Sequence, residues 1–276
     1  MNYITPDQFK KHFTVQRDTL AVTPSISLCA RSLGHSVDYM THNTKQFYDT
    51  VLVDIPDGYK FPGNKTRYEY FCLKLSLSYV KQDGVIHIKS TSKIIPQIKF
   101  FSNLFVEIIE FVNDYVYLKC SIKNNNRDLT TVIYPTGEKI LLNTKKTPIL
   151  YNYNQKHYSY LEQTDLSNSI KRYSLPGKKV RNIENDKHKI KEMGKQGLLI
   201  FTNRPSLKVI KLEDVDKLSS AADCHLFDCK EERDKYFNAL TTPEVYNFAM
   251  NLSHYQPINV ETRSYLFNPN IFSLIA

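Results

Sequence analysis

The feature that most constrains this chain is a strand–helix–strand run between Phe47 and Ser92. Thr50 to Val53 is a short apolar strand that runs directly into Asp54-Ile55-Pro56-Asp57-Gly58. Thr66 to Val80 follows, with Tyr70, Phe71, Leu73, Leu75, Leu77 and Val80 forming the apolar side of an amphipathic helix. Lys81-Gln82-Asp83-Gly84 has the composition of a turn, and Val85 to Ile88 reads as a second buried strand. This order is the grammar of an α/β fold. In open α/β sheets, ligand chemistry sits at the carboxyl ends of strands. Asp54, an acid at such an end, is therefore the first candidate functional residue, although Pro-Asp-Gly is also ordinary turn composition.

The flanks extend this grammar. Residues 1–24 read as polar and irregular, with Pro6 and Pro24 as breakers. Ser25 to Leu33 is expected to be a short helix ended by Gly34, and His35 to Met40 an alternating strand with Asp38 near its end. Ser90 to Phe101 reads as a helix bent at Pro96. From Leu104 the period changes to two. Leu104–Ile109 and Tyr115–Ile122 form one expected hairpin about Asn113-Asp114, and Leu129–Tyr134 and Lys139–Leu142 another about Pro135-Thr136-Gly137. This part of the sheet is expected to be antiparallel. A change of composition near residues 145–155 sets the expected boundary between domains 1–150 and 151–276.

Residues 150–195 differ in character. Tyr151, Tyr153, Tyr158 and Tyr160 alternate with polar residues at spacing that reads as β-like. Between Lys171 and Lys195 nine basic residues face three acids, a local balance of 9 − 3 = +6. The whole chain carries +9 with pI about 9.1. Such a balance favours a polyanionic partner, nucleic acid first. Lys171, Arg172, Lys178, Lys179 and Arg181 are the candidate phosphate contacts, and Tyr151, Tyr153 and Tyr158 the candidate base-stacking rings. Gly197–Thr202 and Leu207–Leu212 read as strands, Glu231–Leu240 and Pro243–Leu252 as helices, and the apolar tail Tyr265–Phe272 as a segment that packs down.

Five cysteines in no regular framework suit a reducing, cytoplasmic setting. Cys224-His225 with Cys229 lacks a second ligand cluster, so no metal is expected. The N-terminus has no apolar signal core, and no run reaches about 18 apolar residues, so no membrane association is expected.

The run DIPD, YEYFCLKLSLSYV and KQDGVIHIKSTS resembles the catalytic half of the DNA adenine amino-methyltransferases, in which a strand ends in Asp/Asn-Pro-Pro-aromatic. The resemblance implies a Rossmann-like methyltransferase-type α/β sheet, followed by a β-rich and helical C-terminal recognition region. It also implies base flipping, DNA as partner, S-adenosylmethionine as cofactor in an active member, and a restriction–modification setting. Residue by residue, Asp54 matches the acid and Pro56 the second proline. Ile55 replaces the first proline, Asp57 replaces the stacking aromatic, and Tyr59 is the nearest ring. Asp38 is the one candidate for the acid that binds the cofactor's ribose. Gly34 is the only glycine before Gly58, and 46 residues hold at most one strand unit before Phe47, so the sheet is expected to be incomplete on its N-terminal side.

These departures point to a degenerate member without a cofactor: a DNA-binding, non-catalytic or regulatory subunit that pairs with an active methyltransferase or another protein. RNA is the alternative nucleic acid. An active S-adenosylmethionine-dependent adenine methyltransferase is the alternative activity. A metal-dependent nuclease is a second alternative, on Pro56-Asp57 and the later His87-Ile88-Lys89, with His87 where a carboxylate is needed to hold the metal.

Overall fold

A computed structural model describes residues 4–41, 46–55, 68–98, 100–122, 129–144, 146–175, 181–201, 206–218, 222–254 and 260–276. The chain divides into two compact units, Met1–Ile149 and Leu150–Ala276.

The first unit begins with helix α1 (Pro6–His12), where the sequence reads as irregular. Its signal is a capping box: Thr5 Oγ1 accepts from Gln8 N and the Gln8 side chain accepts from Thr5 N, with Pro6 in the first turn. Strand β1 (Thr19–Ala21) follows, then α2 (Pro24–Ser32), β2 (Asp38–Tyr39), β3 (Tyr48–Asp54), α3 (Tyr68–Tyr79) and β4 (Val80–Thr91). A short α4 (Ile95–Ile98) leads to β5 (Phe105–Val112), β6 (Tyr115–Ser121), β7 (Thr130–Ile133) and β8 (Lys139–Leu142). Asn113 takes a left-handed φ of 52° at the β5–β6 turn, where asparagine is tolerated.

These strands form one mixed sheet in the order β2-β1-β3-β4-β6-β5-β7-β8. The β2-β1-β3-β4 half is parallel throughout. In the other half β6 runs antiparallel to both β4 and β5, whereas β5 and β7 are parallel. The expected wholly antiparallel arrangement is thus corrected: the β6–β7 connection crosses over to the far side of β5 instead of closing a meander. Two strands, β1 and β2, precede β3, rather than the one strand unit expected.

The register fixes which side chains share a face. Ala21, Leu52 and Tyr117 lie in one core with Phe9 and Phe13 at α1 and Ile26, Cys29 and Ala30 of α2. Val51, Val53, Ile86 and Ile88, of opposite parity, are also buried, so both faces at the sheet centre are covered. Helix α3 packs against β3 and β4.

The expected turn at Lys81–Gly84 is instead an excursion inside the pairing of β3 with β4. Tyr48 pairs with Val80, but Thr50 already pairs with Val85. Lys81 reaches back to Asp49 (2.8 Å) and Asp18 (3.0 Å) and ties the excursion to the amino end of the sheet.

The second unit contains α5 (Gln155–Gln163), β9 (Arg172–Leu175), β10 (Arg181–Asn182), α6 (Glu184–Glu192), β11 (Gln196–Phe201), β12 (Val209–Lys211), β13 (Lys217–Leu218) and β14 (Ala222–Phe227). It closes with α7 (Lys230–Leu240), α8 (Pro243–Ser253) and α9 (Val260–Leu266). Strands β12-β11-β14-β9 form an antiparallel sheet, and β10 pairs with β13. One face packs Leu175, Leu199, Phe201, Ala222 and Cys224 against Ile183, Ile190, Leu212 and Leu218. The tail does pack down: Leu266, Phe267, Ile271 and Leu274 are fully buried. Among the described residues no helix is long and apolar enough to cross a membrane.

Candidate functional site

The parallel half-sheet has one topological switch. From β1 the chain moves outward to β2, then returns to the other side of β1 to form β3. In open α/β sheets the carboxyl ends of the two strands flanking such a point make the ligand crevice. In this chain they are Ala21-Val22-Thr23 after β1 and Asp54-Ile55 after β3.

That position is filled by the protein's own groups. Thr23 caps α2, yet its hydroxyl accepts no helical N–H; it accepts the Asp54 backbone N–H at 3.0 Å. The Asp54 carboxylate turns inward and is 1 % exposed. Oδ1 lies 3.2 Å from Lys89 Nζ, which is equally buried, and Oδ2 accepts the Ile4 backbone N–H at 3.2 Å. Lys89 stands opposite Asp54 in the register, its ammonium 4.6 Å from the centre of the Tyr115 ring, and its carbonyl accepts the Ile55 N–H at 2.8 Å. A buried ion pair with supporting hydrogen bonds is stable only while both partners remain. Chemically, this arrangement holds a carboxylate in place; it does not offer one.

Beside it lies a second buried polar group. The His12 ring stacks on Tyr117 at 3.8 Å, and its Nδ1 faces Glu110 Oε2 at 3.1 Å. His87, on β4, is buried among Phe13 and its neighbours, and burial pushes its pKa down to about 4, so it is neutral at pH 7. Burial likewise raises the Tyr117 hydroxyl.

Of the residues singled out in sequence, Asp54 is placed as above. Pro56, Asp57 and Tyr59 lie outside the described residues. Asp38, on edge strand β2, accepts from Tyr48 Oη (3.0 Å) and Gln46 Nε2 (3.3 Å). The nuclease pattern fares differently: His87 is neutral, Lys89 is buried against Asp54, and Asp57 is not described. Among the described residues no cluster of three or more His, Cys, Asp or Glu side chains is placed to hold a metal ion. Cys224 and His225, adjacent on β14, point to opposite faces of the sheet, so they cannot chelate one ion.

In the second unit the tyrosines lie at the start of a helix rather than in a strand. Tyr151 and Tyr153 are half-buried, and Tyr158, on α5, is buried with its hydroxyl accepting the Leu150 N–H. Tyr158 therefore packs the interior, as does Tyr160. Lys171 and Arg172 are exposed, with Arg172 on edge strand β9. Of Arg181 the structure describes the backbone in β10; Lys178 and Lys179 lie outside the described residues.

Sequence reasoning missed β14 and what it carries, because Glu213–Asp234 reads as an acidic stretch. Asp223 and His225 stand on one face of β14. Asp223 is buried between Arg172 Nη1 (3.2 Å) and Arg263 Nε (2.8 Å), both on the same oxygen, Oδ2. His225 stacks face to face on Phe267 at 3.5 Å, and its pKa is pushed down to about 3, first by burial and then by the two arginines. The only signal in sequence is the alternation ADCHLF within a charged region.

No family model matches the chain, and no curated protein matches it. Among solved structures, the chain shows similarity to a candidate methyltransferase from Thermoplasma acidophilum, with TM-score 0.24 and 13% sequence identity. That similarity covers 42% of this chain and 59% of the other, so the chain spans less than two thirds of that structure's length.

Proposed function

We propose that this protein is a catalytically silent, nucleic-acid-binding protein built on a Rossmann-like, methyltransferase-type sheet. The observation that carries this reading is the state of the Asp54 carboxylate. An amino-methyltransferase of the family that the 47–92 run resembles would direct this oxygen at the amine of a flipped base. In this chain one oxygen faces Lys89, the other accepts the Ile4 N–H, and neither is open to solvent.

The residues at the switch point also do not fit a nucleoside cofactor. A dinucleotide-type turn uses glycines for close backbone approach and helix amides for phosphate or ribose contacts. The β1–α2 turn is Val22-Thr23-Pro24: Thr23 is engaged by Asp54, and Pro24 has no N–H to offer. Asp38, the candidate ribose acid, is already hydrogen-bonded by Tyr48 and Gln46.

What supports nucleic acid as the partner is the local basic run between Lys171 and Lys195, nine basic residues against three acids. The half-buried Tyr151 and Tyr153 are its candidate stacking rings. A DNA-associated, non-catalytic subunit is the role that combines a closed first unit with the basic run at residues 171–195 of the second. The test is a pair of assays on the full chain. A fluorescent DNA duplex should bind with an affinity that falls steeply with salt, as phosphate-driven binding requires. Labelled methyl groups should not be transferred from S-adenosylmethionine to that duplex. Binding that is absent or indifferent to salt removes the nucleic-acid reading; transfer above background removes the silent one.

A further inference from the structure

One interior cluster that the closed site does not account for is Asp223, Arg263 and His225, with the half-exposed Arg172 at its edge. Two arginines meet one carboxylate oxygen in it. Asp223 and Arg263 are both buried, with 5% and 6% of their side chains exposed, and pair across 2.8 Å. A carboxylate removed from water needs one such partner. Arg172 is a second cation on the same oxygen, and 45% of its side chain is exposed. His225 is neutral and brings no negative charge. Arg172 is therefore a half-exposed cation on a carboxylate that already has a buried one.

Its geometry suits an anion. Arg172 stands on β9, at the edge of the sheet, paired in register with His225. Among the described residues its only side-chain hydrogen bond runs from Nη1 to Asp223, which fixes the guanidinium plane at one corner. The remaining N–H groups of a guanidinium form a planar fork that matches two oxygens of a phosphate. Exposed Lys171 adjoins it in sequence. A buried pair that anchors one exposed arginine supplies pre-organisation, which a free surface arginine lacks.

We propose that Arg172, oriented by the buried Asp223–Arg263 pair, is the anchor of a phosphate-binding site on the second unit. The oxyanion comes either from free phosphate or from the backbone of a nucleic acid; only the second source rests on the function proposed above.

The experiment has two arms, run on the wild-type chain, Arg172→Ala and Arg172→Lys. In the first, inorganic phosphate replaces chloride at constant ionic strength, and backbone amide shifts in β9 and β14 are followed by NMR. In the second, a 20-base-pair fluorescent duplex is titrated at several salt concentrations. Saturable shifts in the wild type that vanish in Arg172→Ala establish the anion site. For the duplex, roughly 5- to 10-fold weaker binding by Arg172→Ala is expected, with the salt slope reduced by about 1 and Arg172→Lys in between. A phosphate response without duplex binding keeps the site and removes the nucleic-acid source. Duplex binding weakened by Arg172→Ala without a phosphate response assigns the site to the phosphodiester. If the wild type responds to neither probe, or Arg172→Ala responds as the wild type does, the proposal is overturned. Unchanged amide shifts elsewhere in the second unit of Arg172→Ala exclude loss of fold as the cause.

Discussion

At the scale of single residues, the Asp54–Lys89 pair makes the sharpest demand. Lys89→Met leaves a carboxylate buried without its cation and should destabilise the protein by about 3–5 kcal/mol in chemical denaturation. The double variant Asp54→Leu/Lys89→Met should recover most of that loss; equal instability of both would show that the pair's charges are not what matters. A second expectation concerns protons. His87 and His225 titrate at about 4 and about 3 in the folded chain, below the ordinary histidine value near 6.5. Between pH 6.5 and 4 the unfolded chain therefore binds more protons than the folded one. Their contribution is complete above pH 6.5 and is lost as pH falls through that window, at up to about 1.4 kcal/mol per pH unit for each histidine. Urea midpoints at pH 7, 6 and 5 should fall in sequence; a constant midpoint would contradict the buried, neutral assignment. Thiols give a third check. Cys29, Cys72, Cys120 and Cys224 are buried while Cys229 is exposed at the start of α7. One thiol should react rapidly with a thiol reagent in the native state and all five after denaturation. Much at this scale was legible: Asp54 and Arg172 stand out in the sequence by type and position. Their partners were not, because Ile4, Arg263 and Asp223 are brought to them only by tertiary folding.

At the scale of elements, local chemistry was readable where pattern and capping agreed. Helices α2, α3, α7 and α8 and the β5–β6 hairpin follow from period and turn residues. Helix α1 escaped because seven residues with one fully buried apolar side chain, Phe9, give almost no period; its capping box was the available signal. Lys81–Gly84 has turn composition, yet it is an excursion within β4, held by Lys81 to two aspartates on neighbouring segments. Gly84 closes it. A β-carbon there would stand 2.7 Å from Val80 Cγ2 and 2.9 Å from the Asp49 carbonyl oxygen. Gly84→Ala should cost about 1–3 kcal/mol, the usual range for forced overpacking. A Gly84→Ala protein as stable as the wild type would mean that the chain passes this point less tightly than those distances require. The tyrosine-rich stretch carries a misleading period, because Tyr158 and Tyr160, two apart, suggest a strand. Asn154 instead caps a helix by accepting the His157 N–H, and both rings turn inward.

At the scale of the whole molecule, two units of different character follow one another. The first is a mixed sheet whose parallel half carries a switch point, and the second a small antiparallel sheet within a basic stretch of chain. The α/β class was legible from the strand–helix–strand run. The strand order was not, because a two-residue β2 and a three-residue β1 take their place from pairing rather than from pattern. Nor was the closure of the switch point, which joins backbone and side chains from residues 4, 23, 54 and 89. That closure is what would separate this chain from a working transferase. Isothermal titration calorimetry of the 276-residue chain with S-adenosylmethionine tests it most directly. No saturable heat is predicted up to millimolar ligand; a one-to-one isotherm in the micromolar range, lost in a variant at Asp38 or Thr23, would contradict it.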